Sequence, residues 1–528
     1  MNATRMRPLR VVLVGYGPVG ARFVEEFAPA VAAGAAELTV VGAETEDAYN
    51  RVLVAEYAVG AADRERLDIT DTAASRADGV VIRLGEAVLT VDRRRQEVAL
   101  DSGDILPYDR LVFATGARAN IPTLDGLERS RRARLDRPSS PASLDRGRAP
   151  LPRGIVAMRD LDDAAAIAPV VAARGSIVVL GAGVLGMEFA LAAAGHGADV
   201  VVVHHGEIPM ARNLDDHGGR MLAKATRSQG IGLAAHSRAE GVLFRYDEDG
   251  IQRFDAILCA DGKQIPGDLL VLSCGVGPRV ELAAAAGLAC SSGILVDEEL
   301  RSWTDPDIFA IGDCAQIAAP DEADASGRVP GAPSGLIGPG WRQAAALARR
   351  LNAEAVDATA PVDATVATRE RPAVVMLKAD GIDVVSGGEH ATEPWSDGDA
   401  EVSLWLDPAR GGYLKTVVRD GILTGFVSVG LARAGAELTL LFERGSEAPA
   451  DPSVFLRLDA PTAEAVTSDP LAPDTTVCWC NGVTAGRITE AAQAGSDTVE
   501  CVGRDTRAGT GCGGCKGRIA EILAAART

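Results

Sequence analysis

The chain has 528 residues, 47% of them hydrophobic and 24% charged, which is more than one core organises and enough apolar material for several folded domains. A formal net charge of −20 repels nucleic acid and anionic lipid, so neither is expected as a partner. The nine cysteines do not suit a secreted disulfide framework, because the first 258 residues contain none and five crowd the last 51.

The opening "MNATRMRPLRVVLVGYGPVG" superficially imitates a secretory leader, but its apolar run is short and broken by glycines. No later segment offers eighteen uninterrupted apolar residues, so the expectation is a cytoplasmic protein with no membrane span. Residues 10–14 predict a strand, a glycine turn follows, and an amphipathic pattern from Val19 to Val31 predicts a helix. Gly15, Gly17 and Gly20 fall where a dinucleotide-binding turn needs them: the first for the tight turn, the second for approach of backbone to pyrophosphate, the third for helix packing on strand. The helix N-terminus then faces the phosphates. A second strand, "ELTVVGAE", ends in Glu44, where a carboxylate can bind a ribose hydroxyl, and "LVFATGARANIP" places Thr115 and Gly116 after another strand. The stretch "LERSRRARLDRPSSPASLDRGRAPLPRG" reads as a surface insertion.

The pattern recurs where the run Ile177 to Leu180 meets Gly181, Gly183 and Gly186 and an alanine-rich helix. Here the next strand ends in His204 and His205 instead of an acid, and no arginine stands there to clamp a 2′-phosphate; a modest preference for NADH over NADPH is expected. Further on, "DPDIFAIGDCAQI" brings Gly312 and Asp313, whose carboxylate can bind the ribityl chain of FAD. "GLIGPGWRQAAALARRL" predicts a helix starting at Gly340 and Trp341, with its positive dipole end available to a reduced, anionic flavin. From about Pro372 short β-like runs predict a mixed α/β unit, and beyond "TSDPLAPDTT" lies a small cysteine-rich one. There Cys478 and Cys480 form C-x-C, and after 31 residues Cys512 and Cys515 form C-x-x-C. Four thiolates at such spacing suit an iron-sulfur cluster or tetrahedral zinc, with disulfides a poor third, and the surrounding glycines favour iron. Cys501 lies outside this pattern, and Cys259, Cys274, Cys290 and Cys314 read as small buried hydrophobes.

Both glycine fingerprints with Thr115, Gly116, Gly312 and Asp313 resemble the two-dinucleotide-binding flavoprotein reductases over about residues 8–352. That resemblance implies FAD and NAD(P)H as cofactors, an NAD(P) domain inserted into the FAD domain, and Glu188 near the nicotinamide. It also carries Arg51, in "AETEDAYNRVLVAEY", to the flavin site. Redox cysteines that such enzymes place beside the flavin are missing from "AYNRVLVAEYAVG". The segment from Val477 to Leu523, with "TGCGGC", resembles the bacterioferritin-associated ferredoxin type of 2Fe-2S domain, which implies Cys478, Cys480, Cys512 and Cys515 as cluster ligands. Across nearly the whole length, "ARNLDDHGGRML", "LKADGIDVVSGGEH" and "DTRAGTGCGGC" resemble the N-terminal half of the large subunits of NADH-dependent assimilatory nitrite reductases and the related electron-transfer subunits of assimilatory nitrate reductases.

The expected fold is therefore α/β: residues 1–152 and 274–355 for FAD, 153–273 for NAD(P), 366–450 for the mixed unit and 474–528 for the cluster. The sequence ends at Thr528 without the further cysteine pairs of a sirohaem module, so nitrite reduction on this polypeptide is not expected. The expected activity is transfer of electrons from NADH through FAD and the cluster to a separate molybdenum nitrate reductase subunit, with no acid-base residue required. The alternatives are a reductase serving a ferredoxin, rubredoxin or oxygenase component, and a redox-sensing module that does not turn over.

Overall fold

A computed structural model of the chain describes residues 7–127, 151–248, 250–324, 329–356, 374–379, 381–396, 398–459, 472–478, 481–511 and 513–526. Most of the arginine-rich insertion, Cys480 and Cys512 lie outside the described residues.

The first sheet is parallel and built from β1 (Leu9–Val14), β2 (Ala36–Gly42), β3 (Val81–Leu84) and β4 (Arg110–Phe113), with α1 (Pro18–Ala32) crossing from β1 to β2. The strands read as continuous apolar runs because helices cover the sheet; Leu9, Leu13, Val40, Leu111 and Val112 are all fully buried. The chain then leaves this sheet. A second parallel sheet contains β5 (Ile155–Val156), β6 (Ser176–Leu180), β7 (Asp199–Val203), β8 (Gly232–Ala234) and β9 (Leu269–Leu272), in the order β8-β7-β6-β9-β5. Its helices are α2 (Leu161–Ala172), started by a capping box between Asp160 and Asp163, α3 (Val184–Gly195) and α4 (Asp216–Ser228). Exit and return run side by side, since Ala117–Ala119 pairs antiparallel with Val276–Pro278. The first sheet is completed by β10 (Ile308–Ala310), which pairs with β4 and gives the order β10-β4-β1-β2-β3.

Helix α5 (Ile337–Val356) begins one turn ahead of the expected start at Gly340. Pro339 sits within the first turn, where a missing N–H costs nothing, so it does not stop the helix. This helix lies along α1, where a Cβ on Gly340 would come within 2.6 Å of Val19 and where Trp341 Nε1 donates to Pro18 O at 3.1 Å.

The third sheet is antiparallel, with β11 (Val375–Ala379), β12 (Ile382–Gly388), β13 (Glu401–Asp407), β14 (Gly412–Arg419) and β15 (Ile422–Val429) in the order β11-β12-β15-β14-β13, covered by α6 (Ala432–Arg444). One face packs under α6 in a core of its own, with Phe426, Leu438 and Phe442, while on the other Leu377, Val384, Tyr413 and Val427 share one cluster with Val179, Phe189 and Leu222 of the second fold. The last unit packs α7 (Ala485–Gln493), α8 (Val499–Thr506) and α9 (Lys516–Ala526) around Ile488, Val502 and Ile519. Among the described residues no helix is long and apolar enough to cross a membrane.

Candidate functional site

A cleft of about 3180 Å³ runs between these units. Its floor is the turn after β1. Gly15 has φ +110°, and a Cβ there would overlap Ala114 O; a Cβ on Gly20 would overlap Gly15 O, so α1 packs directly on the turn. Gly17, the residue before α1, is different: its nearest neighbour beyond the turn is Arg51 Nε, 3.8 Å from a notional Cβ, and it faces the cleft. Glu44, just past β2, accepts from Tyr49 Oη at 2.9 Å and pairs with Arg51, whose guanidinium also lies 4.9 Å from the Tyr49 ring centre. Arg51 Nη1 donates to Arg159 O at 3.4 Å. Thr115 Oγ1 donates to Arg279 O at 3.0 Å, and Gly116 takes φ +67°. Opposite them, Gly312 has φ +73° and donates its N–H to Gln343 Oε1 at 2.7 Å, while Asp313 pairs with Arg159 at 3.2 Å. Gly340 and Trp341 are buried at the start of α5, so the dipole end that lines the cleft belongs to the half-buried Ile337 and Gly338.

The fit of a flavin dinucleotide rests on this cradle. Open backbone at Gly17, a carboxylate at Glu44, a second at Asp313 and a buried Arg159 Nε with no partner among the described residues are the complementary groups for pyrophosphate and sugar hydroxyls. Burial lowers the Arg159 pKa, with Arg51 beside it pushing the same way and Asp313 opposing them. The second fingerprint repeats the geometry. Gly181 has φ +115° with its missing Cβ facing Ser273 O, Gly186 packs on Gly181 O, and Gly183 has nothing within 4 Å of a notional Cβ. Glu188 lines the cleft from α3.

The two histidines do not form a pair. His204 is buried, bonds the backbone of Ala234 and Ser237, and leaves Nε2 without a partner among the described residues, whereas His205 is exposed. Burial, with His205, His236 and Arg227 adding to it, pushes the His204 pKa down, so this ring is neutral at physiological pH.

Cys478 and Cys515 open into the same cleft and are buried, at 1% and 9% exposure. A hydrogen bond from Cys515 holds the Cys478 thiol down to about 6 against its burial, helped by the backbone N–H groups of Gly509 and Asn481. Asn481 Nδ2 also approaches Cys478 Sγ at 3.8 Å. Thiolate sulfur surrounded by N–H donors is what an iron-sulfur cluster requires; Cys480 and Cys512, the other two expected ligands, lie outside the described residues. Cys501, on α8, is half-buried and apart from this loop, and Cys274 and Cys290 are likewise half-buried where full burial was expected.

Several residues of the cleft escaped the sequence reading. Arg159, Arg279 and Gln343 each act through a partner distant in sequence, and the one available signal was the "RDLDD" capping box that puts Arg159 at the mouth of α2.

Comparison with known proteins agrees with this architecture. Residues 9–333 match the pyridine nucleotide-disulphide oxidoreductase family, and residues 476–525 match the BFD-like [2Fe-2S] binding domain. The chain is 27% identical over 518 residues to a nitrite reductase [NAD(P)H] of Bacillus subtilis (strain 168), covering 97% of this chain and 57% of that one. It is also 27% identical over 524 residues to the assimilatory nitrate reductase electron transfer subunit of the same organism, covering 98% and 60%. The chain thus spans less than two thirds of the length of these relatives. The fold is similar to that in the crystal structure of the covalent putidaredoxin reductase-putidaredoxin complex, with a TM-score of 0.66 and 22% identity over 85% of this chain and 96% of that one. With the family match extending over more than half its length, the chain belongs to the pyridine nucleotide-disulphide oxidoreductases, as an NAD(P)H-dependent flavoprotein oxidoreductase that also carries a 2Fe-2S domain.

Proposed function

We propose that the protein collects electrons from NADH and hands them singly to a separate redox protein, the molybdenum subunit of an assimilatory nitrate reductase. The observation that carries this reading is the shared cleft: Cys478 and Cys515 line the same space as Gly17, Thr115, Asp313 and Glu188. Bound FAD exchanges electrons in pairs with a nicotinamide and one at a time with an iron-sulfur cluster. One NADH yields NAD⁺, a proton and two electrons, which is the number consumed when nitrate becomes nitrite and water. In this reading the first glycine turn, Glu44, Arg51, Thr115, Gly116, Gly312 and Asp313 hold FAD, and the first turn of α5, with Gly340 and Trp341, closes its site. Gly181, Gly183, Gly186, Glu188 and the His204–His205 strand end receive NAD(P)H, and the four cysteines hold the cluster. The division of the chain at residues 152, 273, 355, 366, 450 and 474 is our assignment, as is a cytoplasmic location.

Nitrite reduction remains a second reading, because the relative of that name aligns over as much of the chain as the nitrate reductase subunit does. The test is reconstitution. Mixed with a molybdenum nitrate reductase subunit, the protein should support NADH-driven nitrite formation, and Cys478→Ser should abolish it while NADH-ferricyanide activity survives. Nitrate reduction at the wild-type rate by a cluster-free variant would overturn the route. Reduction of a ferredoxin or of a sirohaem module, with none of nitrate reductase, would transfer the assignment to that acceptor.

A further inference from the structure

The small cysteine domain does not hang free of the rest of the protein. Arg507 follows α8 directly and reaches α1, its Nη1 lying 2.7 Å from Glu25 and its Nη2 3.7 Å from Glu26. Glu26 already has a cation on its own helix, Arg22, at 2.9 Å one turn earlier. The carboxylate that Arg507 holds is therefore chiefly Glu25. At its backbone, the Arg507 carbonyl accepts from Asn481 Nδ2 at 2.8 Å, the amide that also approaches Cys478. A second tie is close by: the buried Asn50, which caps the turn at Arg51, donates through Nδ2 to Gly511 O.

The backbone at Arg507 gives independent support. It takes φ +67°, the left-handed conformation that a helix end normally gives to glycine, as Gly445 does after α6 with φ +59°. Arginine is strained there, and the carboxylates that its guanidinium meets among the described residues are on the flavin-binding fold, outside the small domain.

Resting on the function proposed above, we propose that Arg507 is a positioning residue, which through Glu25 holds the cysteine loop at the cleft in the arrangement where the cluster receives electrons. The ion pair is partly exposed, with side chains 35% and 25% accessible, so in this proposal it and the buried Asn50 tie break together when the domain leaves the dock to meet an acceptor. Each release carries one electron, and two visits discharge one NADH.

Three variants of the full holoprotein test this. Arg507→Gly relieves the backbone strain while removing the charge, so it should keep the cluster spectrum and unfold no earlier than wild type. It should nevertheless enlarge the radius of gyration in X-ray scattering, raise hydrogen exchange in residues 503–511, and slow cluster reduction by NADH at least tenfold in single-turnover mixing. Reduction of the flavin itself should keep its rate. Glu25→Gln, made on the partner fold where it cannot disturb cluster assembly, should reproduce the scattering, exchange and rate changes, and decides the matter if Arg507→Gly lacks its cluster. Arg507→Lys should restore most of the docking. Wild-type scattering and exchange in Glu25→Gln would overturn the proposal, and so would an undocked variant that still fills its cluster at the wild-type rate. A wild-type protein that docks but never reduces its cluster with NADH would instead overturn the electron-transfer reading and leave the dock standing.

Discussion

Gly15, Gly17 and Gly20 place one residue type under three steric demands. Gly15 and Gly20 face backbone oxygens that a Cβ would overlap, and Gly15 also has φ +110°. Gly17 has neither constraint. Gly15→Ala is therefore expected to cost the apoprotein at least about 2 kcal/mol through strain alone. Gly17→Ala should cost about 1 kcal/mol or less, yet lower the FAD content of the purified protein, because in the proposed binding mode its methyl group would stand where pyrophosphate approaches. Thermal unfolding of apoprotein together with flavin absorbance separates the two, and equal loss of stability would refute the distinction. These positions were legible in the sequence because their spacing directly after a strand is itself a motif, even though the backbone that Gly15 abuts, at Ala114, is distant in sequence. Arg159 and Asn50 were not, since Asp313 lies 154 residues and Gly511 461 residues away along the chain. The histidines at 204 and 205 were legible as a departure from the usual acid, but not that one would turn inward and lose its charge.

Among the elements, α4 and β14 show how two units are fastened. Asp215 caps α4 through the Gly218 N–H at 3.0 Å, and its other oxygen receives Lys415 Nζ at 3.1 Å and the Tyr413 hydroxyl. Lys415 and Asp215 are 1% and 6% exposed, and burial with Asp215 beside it keeps the Tyr413 phenol protonated far above its ordinary range. Removing one partner of such a pair strands the other charge in the interior. Lys415→Met should lower stability by about 3 kcal/mol, whereas Asp215→Asn combined with Lys415→Met should recover most of that loss. Urea unfolding midpoints of the single and double variants test this, and additive losses would argue that the ions do not communicate. The motif "ARNLDDHGGRML" was visible as a resemblance, but its fastening role was not, because the cation that completes it sits 200 residues later in a strand.

For the molecule as a whole, the order of the two nucleotide folds and the cysteine domain could be read from their fingerprints. Their mutual placement could not, because it depends on surfaces whose complementarity has no period or motif. One such surface is the core that the second fold shares with the third sheet. Val427→Ala, a fully buried change confined to the third sheet, should cost about 2 kcal/mol and accelerate hydrogen exchange in β6 and β7 as much as in β15, since the two open as one unit. Faster exchange in β15 alone would show that the shared core is only a contact between independent bodies.

The return of β10 to the first sheet bears on how the protein is made. Leu111 must wait for Ile308 to be synthesised before its strand has both neighbours. The second fold, whose strands all lie between Ile155 and Leu272, has every strand by then, although one side of its core still awaits Leu377 to Val427 of the third sheet. At about 5–20 residues per second, the first sheet stays open at one edge for a few seconds after the last strand of the second sheet has been made. Each parallel sheet is thus closed late by a distant segment, the first by β10 and the core of the second by the third sheet.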